Sequence, residues 1–292
     1  MKMSSNLVRD CRKHYASELE KIYGSDEANA LIMILLEHYF GIDRVKIAME
    51  PKLRLSESEL LTLHFAVKEL LKNKPVQYII GETEFCGMRF FVEEGVLIPR
   101  PETEEMVEMI VSSVGTRRST SVPHSILDIG TGSGCIAISL AKLLKDSVVT
   151  AVDVSGKALE IAKKNAAAND VDVRFVLDDI LNPKNPELID NQYDIIVSNP
   201  PYVCESEKVE MRANVLDYEP STALFVSDND PLVFYRKILQ FAQKTLKPSG
   251  EIWFEINEKF GNDMKNLCFE KGFKNVEIIK DFRGKERILK AS

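Results

Sequence analysis

The sequence contains little that would build a metal-bound, disulfide-linked or membrane-spanning protein. Its 292 residues include one tryptophan, four histidines and five cysteines. The odd number of scattered cysteines, without a Cys-x-x-Cys pair, indicates neither a disulfide framework nor a zinc site. No apolar run approaches the ~20 residues of a bilayer span, and the first residues lack the apolar core of a signal peptide. We therefore expect reduced, packed thiols and a cytoplasmic protein.

An excess of positive charge is also missing. The formal net charge is −7. The first 80 residues contain 12 Lys and Arg against 11 Asp and Glu, and the remainder contains 26 against 34. Neither part is a basic module that would be attracted to a phosphate backbone, which disfavours a duplex DNA substrate. Hydrophobic residues make up 45% of the chain, as in ordinary globular proteins, and the length suits two domains.

The segment 1–75 has the periodicity of helices. Apolar residues recur there every three or four positions. Ser25 is predicted to cap the start of a helix that ends at Gly41. Ser56 and Glu59 fit a capping box at the start of another helix. A small helical N-terminal domain is the simplest interpretation.

The rest of the chain predicts an α/β fold. Residues 76–100, with three glycines between aromatic and β-branched residues, suggest a hairpin that links the two domains. From residue 101 to 292, strand-like runs alternate with helical stretches, which favours a doubly wound sheet. The strands are predicted at 125–129, 148–153, 173–177, 193–198, 251–256, 276–280 and 286–290. The last two are too close for a crossover, so the final strand should be antiparallel.

A glycine-rich turn follows the first of these strands. Its glycines allow a tight turn and a close approach of a ligand to the backbone. The spacing is Gly-x-Gly-x-Gly, whereas dinucleotide-binding dehydrogenases have Gly-x-Gly-x-x-Gly, and no Gly-Lys-Ser/Thr of a P-loop follows. The predicted ligand-binding loop consists of Gly130, Thr131, Gly132, Ser133 and Gly134.

Acidic residues at the ends of neighbouring strands complete a nucleoside site. Asp153 ends the second strand, where its carboxylate can accept hydrogen bonds from both ribose hydroxyls. Asp179 and Ile180 follow the third strand, where an adenine edge would be read. Asp128 precedes the loop and can reach the other end of the ligand through water or backbone groups.

The tetrapeptide Asn199-Pro200-Pro201-Tyr202 follows the fourth strand. Successive prolines remove two backbone donors and leave carbonyl oxygens free, and Asn199 adds an amide oxygen. These acceptors can hold both hydrogens of a planar –NH2 and direct its lone pair at an activated methyl group. Tyr202 is expected to form a wall of the pocket and to stack on the flat acceptor.

These residues resemble the Asn-Pro-Pro-Tyr methyltransferases, which modify exocyclic amines of adenine or the side-chain amide of glutamine. Residues 75–107 show a more specific resemblance, to one family within this class; they read PVQYIIGETEFCGMRFFVEEGVLIPRPETEEMV. They are similar to the bacterial release factor glutamine methyltransferases of the HemK/PrmC family, as is the ending DFRGKERILKA. This resemblance implies a helical domain, a β-hairpin and a Rossmann-like domain that uses S-adenosylmethionine. It also implies a protein substrate, the glutamine of the Gly-Gly-Gln motif in class-I peptide chain release factors.

The resemblance assigns roles residue by residue. The cofactor would be bound by Gly130 to Gly134, Asp153, Ile180 and Asn199. The glutamine would be bound by Asn199, Pro200, Pro201 and Tyr202. Residues 100–103 would lie close to the site, with Arg100 as a candidate substrate contact and Phe90 or Phe91 near the pocket wall. Many relatives have an aromatic residue at the position of Ile180, so here the backbone could make the adenine contact.

Two alternatives remain within the enzyme class, and one lies outside it. The enzyme could methylate a glutamine of a ribosomal protein, or the N6 amine of adenine in nucleic acid. The acidic balance disfavours the nucleic acid. A non-catalytic binding module would require the Asn-Pro-Pro-Tyr motif to be incidental.

Overall fold

The computed structural model describes residues 5–116 and 124–292. It divides into two compact units, Met1–Gly81 with Arg212–Tyr218, and Glu82–Met211 with Glu219–Ser292. Within the described residues, no helix has the length and apolar character needed to cross a bilayer.

Helices come first along the chain, and from β1 onwards strands and helices are interspersed. The helices are α1 (Val8–Tyr23), α2 (Ser25–Phe40), α3 (Arg44–Met49), α4 (Glu57–Leu70), α5 (Val76–Ile80), α6 (Pro101–Thr116), α7 (Cys135–Leu143), α8 (Gly156–Ala168), α9 (Pro186–Ile189), α10 (Ala213–Leu216), α11 (Ser221–Leu224), α12 (Val233–Thr245) and α13 (Gly261–Glu270). The strands are β1 (Glu82–Phe85), β2 (Met88–Phe91), β3 (Ser125–Ile129), β4 (Val148–Asp153), β5 (Arg174–Leu177), β6 (Tyr193–Ser198), β7 (Val203–Cys204), β8 (Phe225–Val226), β9 (Leu246–Glu255), β10 (Val276–Lys280) and β11 (Glu286–Ala291). Short 3-10 turns cover Glu205–Glu210 and Glu258–Phe260.

The first unit is a helical bundle around one apolar core, which α1, α2 and α4 supply. The predicted capping box is confirmed, because Glu59 N–H donates to Ser56 Oγ and Ser56 N–H donates to Glu59 Oε2 at 2.7 Å. The predicted helix end at Gly41 is also confirmed, with φ +60°. The predicted cap at Ser25 is wrong by one residue. Gly24, at φ +78°, makes the turn itself, and Ser25 is the first helical residue.

The segment between the helices and the sheet is only partly a hairpin. Val76–Ile80 form α5, which Pro75 precedes and Gly81 ends in the left-handed conformation. The hairpin itself is β1 and β2, joined at Cys86 and Gly87, both at positive φ. It belongs to the second unit, so the division between compact units falls at Gly81 rather than at residue 75.

The second unit contains a seven-stranded sheet in the order β10-β11-β9-β6-β3-β4-β5. The strands from β9 to β5 are parallel, and β11 runs antiparallel to both of its neighbours, as predicted. The chain builds outward from β3 to β5 and then returns to the other side of β3 as β6. Such a reversal opens a crevice at the carboxyl ends of the strands, the usual ligand site of an open α/β sheet.

Helices cover both faces of this sheet, which explains the nearly continuous apolar runs in its strands. On one face, β3, β4, β6 and β9 pack against α12 and α13. On the other face, the same strands pack against α6, α7 and α8. The sheet is therefore a rigid base for the loops at its carboxyl edge.

Candidate active site

A cleft lies where the strand order reverses. It encloses about 930 Å³, including its open mouth, which is within the usual size range of small-molecule sites. The loops after β3, β4, β5 and β6 border it, together with residues 95–97 and 220–223. Ser198 Oγ donates to the carbonyl of Ile129 at 2.7 Å, so the ends of β3 and β6 are tied together just before the two predicted motifs begin.

The three glycines of the turn have different tasks. All have positive φ, at +75°, +55° and +83°. Gly130 and Gly132 border the cleft, and a Cβ on either would meet open space. Gly134 precedes α7, and a Cβ there would lie 2.8 Å from Ile138 Cδ1 and 3.1 Å from the Cβ of Ala162. The first two glycines therefore face a ligand, whereas Gly134 allows α7 to pack closely on α8.

The residues between these glycines are buried below the cleft. Thr131 Oγ1 donates to Asp128 Oδ2 at 2.6 Å. The carbonyl of Ser133 accepts from Asn165 Nδ2 at 2.8 Å. Asn165 also exchanges two hydrogen bonds with the backbone of Phe91, and it thereby connects the hairpin to the turn. Thr131 and Ser133 thus fix the shape of the loop.

Asp128 is fully buried beneath the turn. Its Oδ2 also accepts from Ala137 N–H at 3.2 Å. Its Oδ1 is buried without a hydrogen-bond partner among the described residues. Desolvation raises the pKa of Asp128 to about 7, although the Thr131 hydroxyl and the Ala137 amide counteract it. Asp128 does not itself border the cleft, so its unpaired oxygen lies beneath the turn rather than on the ligand-facing surface.

Asp153 lies at the end of β4 on the border of the cleft. Its Oδ2 accepts from Gly132 N–H and its Oδ1 from Ser155 N–H, both at 2.8 Å. Burial raises the pKa of this carboxyl, and the backbone donors oppose the shift. Each oxygen retains lone-pair capacity, so the side chain can brace the turn and also accept hydroxyl donors.

The loop after β5 contributes the next part of the border. Asp179 and Ile180 both line the cleft. Asp178 shapes this loop by accepting from the N–H groups of Asp179, Lys184 and Asn185. Burial alone would raise its pKa, but these donors hold the pKa of Asp178 below its usual value.

The Asn-Pro-Pro-Tyr segment begins directly after β6, the strand next to β3. Asn199, Pro200 and Pro201 border the cleft. Tyr202 is not on the border, since its hydroxyl donates to Glu255 Oε1 at 2.9 Å and its ring lies 5.8 Å from the Arg287 guanidinium carbon. Burial, with the neighbouring Glu255 carboxylate, raises the pKa of Tyr202 well above its usual value. We predicted that this ring would form a wall of the pocket and stack on the flat acceptor. In the structure, Tyr202 lies behind the cleft border, next to Glu255 and Arg287.

Glu255, which the sequence did not single out, completes this region together with Thr103 of the segment 100–103, which was predicted to lie close to the site. Glu255 ends β9, beside β6, and is 1% exposed. Its Oε2 accepts from Asn199 Nδ2 at 2.9 Å and from the hydroxyl of Thr103 at 2.5 Å. An acidic residue directly after the apolar run at 252–254 was the signal available. It becomes informative only once β9 is placed beside β6.

Arg100 and the two predicted aromatic residues lie away from the cleft border. Arg100 Nη2 donates to Glu219 Oε1 at 2.5 Å, and Glu219 also accepts from Ile98 N–H. Phe90 is buried in the core, and Phe91 carries Lys164 Nζ 3.9 Å from its ring centroid. The Arg100–Glu219 pair joins the two segments, near residues 97 and 220, that border the mouth of the cleft.

Known proteins match this chain over both of its units. The sequence model described as the PrmC N-terminal domain matches residues 10–81, and the methyltransferase small domain matches residues 108–217. In structure, the hMettl16 catalytic domain in complex with the MAT2A 3'UTR hairpin 6 is similar, with a TM-score of 0.52 and 18% identity. That match covers 81% of this chain and 82% of the other, and it shows a shared fold.

Two curated relatives have the same name. The release factor glutamine methyltransferase of Flavobacterium psychrophilum is 44% identical, covering 98% of this chain and 99% of its own length. That of Bacteroides thetaiotaomicron is 47% identical, covering 94% of this chain and 96% of its own. With a glycine turn and an Asn-Pro-Pro-Tyr segment on the border of one cleft, and with identity at this level along nearly its whole length, the chain belongs to the release factor glutamine methyltransferase family.

Proposed function

We propose that this protein transfers the methyl group of S-adenosylmethionine to the side-chain amide nitrogen of the glutamine in the Gly-Gly-Gln motif of class-I peptide chain release factors. The observation that carries the proposal is the meeting of two motifs: Gly130 and Gly132 border the same cleft as residues 199–201, at the carboxyl ends of the neighbouring strands β3 and β6. A methyl donor on the first and a planar amide on the second would be neighbours. Membership of the family supports the choice of substrate, and translation factors act in the cytoplasm.

The polar groups of the cleft fit S-adenosylmethionine. Asp153 offers lone pairs for ribose hydroxyls at the end of β4, and Asp179 and Ile180 border the part of the cleft that we assign to adenine. Open space at Gly130 and Gly132 allows the backbone to approach the ligand closely. Asp128 lies buried directly before the turn with its Oδ1 unpaired among the described residues, and we assign this side of the turn to the amino-acid part of the cofactor. When bound, this cofactor would supply a methyl group on a sulfonium and be left as a neutral thioether, a good leaving group, while the amide nitrogen would lose one proton to water.

The acceptor side holds the glutamine amide and orients its lone pair. An amide nitrogen is a weak nucleophile because its lone pair is delocalised into the carbonyl. The Asn199 amide oxygen and the carbonyl oxygens of the following prolines are acceptors for its two hydrogens. Holding both hydrogens directs the remaining electrons towards the methyl group, and such positioning is worth several kcal/mol of barrier. Tyr202 lies behind this segment and supports it.

The first compact unit and Arg100 are assigned to the protein substrate. The proposed domains are 1–75 for substrate recognition, 76–100 as the link that contains α5 and the β1–β2 hairpin, and 101–292 for catalysis, with residues 212–218 belonging to the first compact unit. The helical domain has no chemical motif, which favours a role in holding the release factor. Arg100 is about one-third exposed, at 34% of its side chain, and stays a predicted substrate contact beside its ion pair with Glu219.

Transfer of tritium from labelled S-adenosylmethionine tests the proposal. Purified class-I release factor, the same factor with the Gly-Gly-Gln glutamine replaced by alanine, ribosomal protein and duplex DNA are incubated separately with the enzyme. We expect label only on the intact release factor. Label on the ribosomal protein or on DNA, or equal label on the alanine-substituted factor, would contradict the proposed substrate.

A further inference from the structure

The buried carboxylate of Glu255 determines which end of the Asn199 amide faces the cleft. Glu255 Oε2 is 2.9 Å from Asn199 Nδ2, and Thr103 Oγ1 is 3.2 Å from the same nitrogen. The single hydrogen of the Thr103 hydroxyl is donated to Glu255 Oε2, so towards Asn199 this hydroxyl can only accept. Both neighbours are therefore acceptors.

An Asn amide between two acceptors has one favourable orientation. Its –NH2 must face Glu255 and Thr103, which turns its Oδ1 the other way. A proton on Glu255 would not change this, because Oε1 faces the Tyr202 hydroxyl, and that hydroxyl can accept as well as donate. The orientation of the Asn199 amide thus depends only on Glu255 Oε2 and the Thr103 hydroxyl.

We propose that Glu255 is a positioning residue whose hydrogen-bond polarity, relayed with Thr103, fixes Asn199 Oδ1 as the acceptor for the substrate amide. The inference rests on the proposed function, which makes Asn199 the residue that touches the acceptor –NH2. A flipped Asn199 would present its own –NH2 to the substrate –NH2, where two donors meet and none accepts. The buried carboxylate therefore serves the reaction through Asn199 and does not touch the substrate.

Reversing the polarity of the pair tests this inference. In Asn199→Asp, two carboxylates meet at the contact, and we expect kcat at pH 8 to fall about a hundredfold. Adding Glu255→Gln places an –NH2 where the carboxylate oxygen Oε2 was. This –NH2 can donate to the new carboxylate at position 199 and to the Thr103 hydroxyl, while the amide oxygen still accepts from Tyr202. We expect this double variant to be at least about tenfold more active than Asn199→Asp alone, with the wild-type Kd for S-adenosylmethionine.

Glu251 provides the matched control. It is a buried carboxylate on the same strand, 2% exposed, and it pairs with Lys290 at 2.7 Å. Asn199→Asp combined with Glu251→Gln removes the same charge elsewhere, and we expect no recovery. No recovery with Glu255→Gln, equal recovery with Glu251→Gln, or full activity of Asn199→Asp alone would each overturn the inference.

Two further measurements keep the outcome decisive. If a double variant does not fold, as judged by its melting temperature, Thr103→Ser and Thr103→Val replace it. The serine keeps the relaying hydroxyl and should keep kcat, whereas the valine should lose about tenfold in kcat, and equal activity of the two would overturn the inference.

The wild-type enzyme must first methylate a release factor. If it does not, the proposed function fails, whereas a failed rescue in an active background refutes only the role of Glu255.

Discussion

Asp128 is a residue whose environment makes stability depend on pH. Its carboxyl is fully buried with one oxygen unpaired, and burial raises its pKa from 3.8 to about 7. A carboxyl with a raised pKa stabilises the folded state fully below pH 3.8, and this stability is lost as the pH rises to 7. Over about three pH units the loss is ~4 kcal/mol in order of magnitude.

Replacing Asp128 by Asn removes this titration. Near pH 4, the variant should match the wild type, because both side chains are neutral in the folded state. Its advantage in free energy of unfolding should grow as the pH rises to about 7 and stay constant above that. Urea unfolding of the cofactor-free proteins at several pH values measures the difference. An advantage that does not change with pH would show that Asp128 is ionised in the fold.

At this level of detail, the sequence predicts the residues on the cleft better than those behind it. Asp153, Asp179 and Asn199 were identified because each lies at or just after the end of a strand, and strand ends meet at one edge of a parallel sheet. Thr103 and Glu255 act through contacts 152 positions apart in the chain. Such contacts depend on which strand lies beside which, and periodicity does not contain that information.

The packing of α7 on α8 depends on Gly134. Its φ of +83° and the 3.1 Å approach of its missing Cβ to the Cβ of Ala162 on α8 both oppose any side chain. Gly134→Ala should therefore lower the free energy of unfolding by about 1–3 kcal/mol and weaken S-adenosylmethionine binding, because the turn must shift. Gly156→Ala is the control, since that glycine has ordinary φ and open space around it. Equal melting temperatures for the two variants would refute the packing role.

Element boundaries were predicted well where a cap or a buried strand defines them. The strand Ser125–Ile129 and the start of α4 at Ser56 follow from strong local signals. The stretch Val76–Ile80 was assigned to the hairpin but is a short helix. It begins after Pro75 and ends at Gly81, and its β-branched residues had suggested a strand. Five residues are too few for periodicity to separate helix from strand.

Across the whole molecule, the sequence predicts two units but does not predict which segments belong to each unit. Arg212–Tyr218 come from the segment after the Asn-Pro-Pro-Tyr motif, yet they belong to the first unit. Within that unit Arg212 pairs with Glu27 at 3.2 Å, and the Tyr218 hydroxyl donates to the carbonyl of Lys72. Local sequence patterns do not reveal that this segment belongs to the first unit, because its helix, α10, has only four residues and so no measurable periodicity.

The first unit can be tested for its proposed role without deleting it, which matters because part of it comes from residues 212–218. On α4, Leu61 and Phe65 lie one turn apart and are 52% and 60% exposed, which is unusual for large apolar side chains in one place. If this unit holds the release factor, Leu61→Ser with Phe65→Ser should lower kcat/KM for full-length release factor about tenfold. Activity on a short Gly-Gly-Gln peptide should not change, because the peptide reaches only the cleft. Val45→Ser, at a 67% exposed position on α3, controls for loss of surface apolarity. An equal loss with both substrates would place the effect on folding, and no loss with either would exclude this face of α4 from recognition.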